Sequence, residues 1–174
     1  PKKITVVGGG ILGLWQALLL ARAGHRVALI DRDPVPFASA ASRYAGAMIA
    51  PYCEGEAAPS VVVERGLKAA HAWREMLPTL ERRGSLVIAS ARDQSELRRF
   101  EAATVGHQRL DGVALGELEP ELAGRFQSAL FYPDEAHMTT PDAMRELLSL
   151  FQSAGGTARL GEAWDGEVAN ATGE

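Results

Sequence analysis

The chain has 174 residues, with 18 Lys plus Arg against 22 Asp plus Glu and 47% hydrophobic residues. A chain of this size buries about 70% of its unfolded surface, so one domain is the default expectation. No basic cluster or aromatic–basic interleaving points to nucleic acid, and the longest apolar stretches, Ile11–Ala21 and Val61–Val63, are too short to span a bilayer.

Ile4, Thr5, Val6 and Val7 predict a short buried strand, β-branched at every position. It runs into Gly8-Gly9-Gly10-Ile11-Leu12-Gly13, after which Ile11 to Ala23 carries apolar residues at helical spacing. Alone, a G-x-G-x-x-G is a weak signal; between a strand and a helix it is a phosphate site with a mechanism. Gly8 permits the tight turn, Gly10 lets a pyrophosphate approach the backbone, and Gly13 brings helix and strand together. The free N–H groups and positive dipole end of the helix face the anion. Lys2 and Lys3 before an apolar run imitate a secretory signal, but Gly8–Gly10 interrupts that run. The expected location is cytoplasmic.

Gly24 ends the first helix, and Arg26 to Ile30 predicts the second strand, with Asp31 at its C-terminal end. A carboxylate roughly 20 residues past the glycines is placed to accept hydrogen bonds from an adenosine ribose, and it repels a 2′-phosphate. Dinucleotide binding is the reading; a Gly-rich turn with a surface aspartate is the bland alternative. Pro34 and Pro36 bar an immediate helix. Ala38 to Ala50 is then built mostly of Ala, Ser and Gly. Such a run suits either close backbone approach to a large flat ligand or a short Ala-rich helix on the sheet, and the residues alone leave both open.

Ser60 is expected to cap a helix to about Leu77, with Val61, Val62, Leu67, Ala70, Trp73 and Leu77 on its buried stripe. A strand follows over Ser85–Ala89, then a helix from Asp93 to about His107. Leu110 to Gly124 reads as turn-rich, with a short helical piece near Glu117, and Ala129–Tyr132 reads as a strand. Thr140-Pro141 starts a helix, with Thr140 as cap and Met144, Leu147, Leu148 and Phe151 as its apolar face. Gly155-Gly156 ends it before a strand at Thr157–Leu160. Strands and helices alternate, which predicts the α/β class with a mainly parallel sheet.

Cys53 is the single cysteine, so no internal disulfide or Cys-based metal site is available. Nothing in Pro51-Tyr52-Cys53-Glu54 activates it as a nucleophile, and an inert thiol is the expectation. His25, His71, His107 and His137 are scattered without metal-ligand spacing, so no metal is expected.

Taken together, Gly8–Gly13, Asp31, the run through Ala45-Gly46-Ala47-Met48-Ile49-Ala50-Pro51 and Asn170-Ala171-Thr172-Gly173 resemble the FAD-dependent D-amino acid oxidase family. Phe131-Tyr132-Pro133-Asp134-Glu135-Ala136-His137, with Thr140-Pro141 after it, resembles the glycine oxidase and D-amino acid dehydrogenase branch. The resemblance covers the whole chain but only about the N-terminal half of such an enzyme. It implies a Rossmann-like FAD-binding fold over 1–174, with part of a substrate domain inserted at 78–138. Gly8, Gly10, Ile11, Leu12 and Gly13 would cradle the FAD pyrophosphate, and Asp31 with Arg32 would hold the ribose end. Ala41, Ser42, Ala45, Gly46 and Met48 would line the path to the isoalloxazine, and Ala171, Thr172 and Gly173 would close over the cofactor.

The implied chemistry is hydride transfer from the α-carbon of a small amine or amino acid to flavin. The cofactor carries the hard step, so no catalytic acid or base is expected among these residues. Two departures stand out. Only Gly161 to Glu167 separates Leu160 from Val168, where the family has a small β-meander. The substrate-clamping arginine normally comes beyond Glu174. Arg43 is expected to be a surface or phosphate-contacting residue. Uncovered apolar surface predicts self-association or a partner subunit supplying the substrate half. The rival readings are a non-catalytic dinucleotide-binding module acting with a partner chain, and an NAD-dependent dehydrogenase. The latter has no use for Ala38–Ala50.

Overall fold

A computed structural model describes residues 1–77 and 80–166. Strand β1 (Lys3–Val7), helix α1 (Ile11–Arg22) and strand β2 (Arg26–Asp31) form the expected βαβ-type start. A short 3₁₀ turn at Ala41–Tyr44 is followed by β3 (Met48–Ile49), a second 3₁₀ turn at Cys53–Glu56, and helix α2 (Ser60–Met76). Next come β4 (Ser85–Ile88), α3 (Gln94–Ala103), β5 (Gln108–Asp111), α4 (Gly112–Leu118), β6 (Ser128–Tyr132) and β7 (Ala136–His137). Helix α5 (Thr140–Ser153) and β8 (Thr157–Leu160) complete the described elements.

The chain divides into two compact units, one formed by Pro1–Gly46 with the described residues from Thr139 onward, the other by Ala47–Met138. The first carries a parallel sheet in the order β1-β2-β8, with Val6 opposite Leu29 and Leu29 opposite Ala158. One sheet face, with Val27 and Leu29, is buried together with Leu14, Ala17, Leu18 and Ala21 of α1 and Ala143, Met144, Leu147 and Phe151 of α5. Burying each large side chain contributes about 1.5–3 kcal/mol, and those of α5 recur at helical spacing, so its apolar face follows the sequence reading closely. Strand β1 departs from expectation, because Thr5 and Val7 lie on the other, more open face and are exposed. A β-branched run predicts a strand but not whether both faces are covered.

The parallel sheet of the first unit is the one the α/β reading predicts, and the second unit carries antiparallel pairing of its own. Its three-stranded sheet runs β4-β6-β5 with antiparallel pairs, and β3 pairs antiparallel with β7. Its core joins Leu97 of α3 to Leu130 and Tyr132 of β6, with Tyr52, Val87 and Phe100 packed around them. The helix expected to reach His107 stops at Ala103, because Thr104 turns extended (φ −123°, ψ 163°) and its hydroxyl donates back to the Phe100 carbonyl at 2.8 Å. Gln108–Asp111 then forms β5, whose second half, Leu110–Asp111, falls at the start of the stretch expected to be turn-rich.

Two caps also differ from expectation. Pro59, not Ser60, sits at the N-cap of α2, and no side-chain capping bond forms there. The helix buries Ala70 and Met76, whereas Val61, Val62 and Leu67 are exposed. At α5 the cap position belongs to Thr139, and the Thr140 hydroxyl instead donates to the Arg43 carbonyl at 2.9 Å. That bond ties the start of α5 to the 3₁₀ turn within the first unit.

Candidate functional site

The glycine motif forms the turn its spacing predicts. Gly8 has φ +99°, a conformation open to glycine at little cost, and its N–H donates to the Ile30 carbonyl at 2.8 Å. A Cβ at Gly13 would overlap the Gly8 carbonyl oxygen, so Gly13 permits the close packing of α1 on the turn. Gly10 is different in kind. It caps α1 with φ −69°, and a Cβ built there would meet nothing nearer than the Ser42 Oγ at 3.8 Å. Nothing among the described residues requires glycine at that position. The space it leaves opens into a cleft.

That cleft, of about 570 Å³, is lined by Val7, Gly8 and Gly10 on one side and Ile30, Asp31, Arg32 and Asp33 across the floor. Ser39, Ala40 and Ala41, and Glu162, Ala163 and Trp164 after β8, complete its lining. It therefore lies at the C-terminal ends of the parallel strands, where open α/β sheets bind ligands. The first N–H groups of a helix have no partner within it. Here the Ile11 N–H donates to the Ser42 Oγ at 3.2 Å, while those of Leu12 and Gly13 have no intrahelical acceptor.

The acidic residues organise the floor. Asp31 accepts from the Gly9 N–H through Oδ2 and from the Asp33 N–H through Oδ1 at 2.8 Å. A carboxylate has about four acceptor sites, so Asp31 has capacity left for a diol after holding the glycine turn. Asp33 closes the next loop by accepting from the Ser39 N–H at 2.6 Å and from the Ser39 hydroxyl at 2.8 Å. These bonds hold its carboxyl below the usual carboxylate value. Arg159 pairs with Glu162, and the Glu162 N–H donates to the Asp31 carbonyl at 3.0 Å. The residues present thus fit a dinucleotide: open helix N–H groups, a glycine that no described residue crowds, and an acceptor-rich floor hostile to an extra phosphate.

The structure brings together Gly8, Gly10, Asp31, Arg32 and Ala41 as cleft lining, with Ser42 and Ile11 joined at its helix end. Leu12 is exposed on the first turn of α1, and Gly13 acts through packing. Ala45 and Gly46 are exposed beyond the 3₁₀ turn and do not line the cleft. Met48 belongs to β3 of the second unit. Ala171, Thr172 and Gly173 lie outside the described residues. Sequence reading passed over Asp33, Glu162, Ala163 and Trp164. The Asp31-x-Asp33 spacing before Pro34 was a usable signal for the first of these; the others arrive through the pairing of β8 with β2, which is not local.

Cys53 lies in the second unit, half-buried, with its thiol directed at Glu135 Oε2 at 3.3 Å. Burial foremost, then Glu135, pushes its pKa up to about 12. Glu135 is fully buried and also accepts the Tyr52 and Cys53 N–H groups, both at 2.9 Å. Arg43 is exposed beside the Tyr44 ring. No helix among the described residues is long and apolar enough to cross a membrane.

The family model described as DAO, FAD dependent oxidoreductase, matches residues 3–173. A putative thiamine biosynthesis oxidoreductase ThiO of Rhizobium etli is 42% identical over 167 residues, covering 95% of this chain and 51% of that protein. A D-amino acid dehydrogenase of Sinorhizobium medicae is 42% identical over 59 residues, 34% of this chain and 14% of that protein. The crystal structure of glycine oxidase from Geobacillus kaustophilus has the same fold, with a TM-score of 0.74 at 22% identity, covering 96% of this chain and 49% of that one. The chain thus spans about half the length of the ThiO relative.

Proposed function

This chain belongs to the FAD-dependent oxidoreductase family, and from that premise we propose that it is the cofactor-holding part of an enzyme oxidising a small amine or amino acid. Hydride would leave the substrate α-carbon, and FAD, when bound, supplies the two-electron acceptor. The observation that carries this reading is Gly10, whose missing side chain leaves space that none of the described residues fills. Gly8, Gly10, Ile11, Leu12 and Gly13 would present backbone N–H groups and the positive end of α1 to the pyrophosphate. Asp31 and Arg32 would take the ribose, and Ala41 and Ser42 would flank the cofactor's path.

The substrate-domain insertion proposed at 78–138 falls within Ala47–Met138, a unit with its own antiparallel sheet and core. A cytoplasmic location, and association with a second copy or partner chain, complete the reading. Exposed Val61, Val62 and Leu67 on α2 support the association.

The test is cofactor retention. Purified protein mixed with FAD and passed through gel filtration is expected to keep a flavin spectrum that excess NAD does not displace. Gly10→Val is expected to lose it. A wild-type protein that retains no flavin, or that prefers NAD, overturns the proposal.

A further inference from the structure

Trp164 is a large aromatic side chain, 40% exposed, on the wall of a polar cleft. Its position is built rather than accidental. The Gly161 N–H donates to the Asp33 carbonyl and the Glu162 N–H to the Asp31 carbonyl, both at 3.0 Å. These two bonds dock the segment after β8 onto the end of β2, and Glu162 also pairs locally with Arg159 of β8. Two residues on, Trp164 joins the cleft lining, which also includes the short side chains of Ser39, Ala40 and Ala41. A cleft with small residues in one segment and an indole in another suits a flat ring.

The sheet order gives the direction. Strands run β1-β2-β8, and neighbouring strands lie ~5 Å apart. Crossing the C-terminal edge of the sheet therefore meets the N-terminus of α1 above β1, then the Asp31 carboxylate at β2, then Glu162–Trp164 after β8. Phosphate, sugar and base follow one another in that same order along a nucleotide. We propose that Trp164 is the purine platform of this cleft, stacking on the adenine of the bound dinucleotide. This rests on the reading of the cleft as a dinucleotide site and adds to it the residue that recognises the base. Of the acids in the cleft, Glu162 is neutralised by Arg159, so the wall beside the indole suits an uncharged base.

The experiment uses ADP as a flavin-free probe, read by tryptophan emission, and FAD and FMN affinities of wild type, Trp164→Phe and Trp164→Ala. ADP is expected to quench wild-type emission and to leave the emission of Trp164→Ala unchanged. FAD affinity is expected to fall on the order of tenfold in Trp164→Ala, from the usual strength of base–aromatic stacking, and to recover largely in Trp164→Phe. FMN, which lacks adenosine, is expected to bind both variants as it binds wild type. If FAD binds wild type and Trp164→Ala equally, or FMN binding falls along with FAD binding, the platform is refuted while the cofactor reading stands. ADP quenching through Trp164 with no FAD uptake supports the platform and refutes FAD as the ligand. Absence of both refutes both.

Discussion

The Asp31 carboxylate accepts a hydrogen bond from the Gly9 N–H, so the acid at the end of β2 holds the glycine turn at the end of β1. Gly9 is buried, and a Cβ there would press on Asp31 Oδ2 at 2.9 Å. Asp31 is thus a structural part of the turn as well as the proposed ribose acceptor. Asp31→Ala is expected to destabilise the unliganded protein by about 1–3 kcal/mol, the usual cost of a buried donor left unpaired. Asp31→Asn keeps one acceptor oxygen and is expected to retain most of that stability. Urea denaturation of the unliganded variants checks this, and an Asp31→Ala protein as stable as wild type would remove the structural role.

Gly10 and Gly13 should separate folding from binding. Gly13→Ala forces a Cβ into the Gly8 carbonyl oxygen and is expected to lower the stability of the unliganded chain by about 1–3 kcal/mol. Gly10→Ala meets open space, so its cost to folding is expected to stay within about 1 kcal/mol. Its effect should fall on FAD affinity instead. Melting curves without cofactor and titrations with it give the two axes. Equal effects of both substitutions on both axes would contradict the assignment of Gly10 to the ligand.

The start of the first unit was legible because its information is local. A glycine triplet between β-branched residues and an apolar helix specifies strand, turn and helix within a few residues, and Asp31 follows at the spacing the unit requires. The second unit was not legible in the same way. Gln108–Asp111 carries only Leu110 as an apolar residue, and it is a strand because it pairs with β6. The α2 stripe, buried at Ala70 and Leu77, failed in its N-terminal half for a related reason. Val61, Val62 and Leu67 are spaced for burial, yet the described structure leaves them exposed. In the cleft, Asp31 could be read from the motif, whereas Trp164 is brought there by the β2–β8 register. Local chemistry could be read from the chain, but long-range pairing could not.

Cys53 is expected to be a poor nucleophile. Its pKa is raised to about 12, so at pH 8 the thiolate fraction is very small, and alkylation by iodoacetamide should be far slower than for a free thiol. Because burial is the leading cause, Glu135→Gln should speed the reaction without restoring ordinary reactivity. The raised value also gives a sign. The thiol's contribution to stability is complete below the unfolded value of about 8.5 and is lost as pH rises toward 12. Glu135→Ala strands the part-buried Tyr52 and Cys53 N–H groups, and a loss of about 1–3 kcal/mol is expected in urea melts. Rapid alkylation of the native protein at neutral pH would contradict this picture.

Asp33 sets an acid limit on the cleft. Its carboxyl is held below the ordinary value of 3.8 by the Ser39 N–H first and the Ser39 hydroxyl second. A depressed folded value means that the stabilisation is present above the unfolded pKa and is lost as pH falls through the folded one. The loop from Asp33 to Ser39 is therefore expected to stay closed through pH 5 and to open only below about 4. The Ser39 amide proton, bonded directly to Asp33 Oδ2, reports this in NMR spectra. Its shift should titrate with a midpoint below 3.8, and Asp33→Asn should abolish the titration. The same substitution should loosen the lining formed by Ser39, Ala40 and Ala41 and weaken FAD binding at neutral pH, where the wild-type loop is closed. A Ser39 amide that titrates at the ordinary carboxylate value, or not at all, would show that Asp33 does not hold the loop.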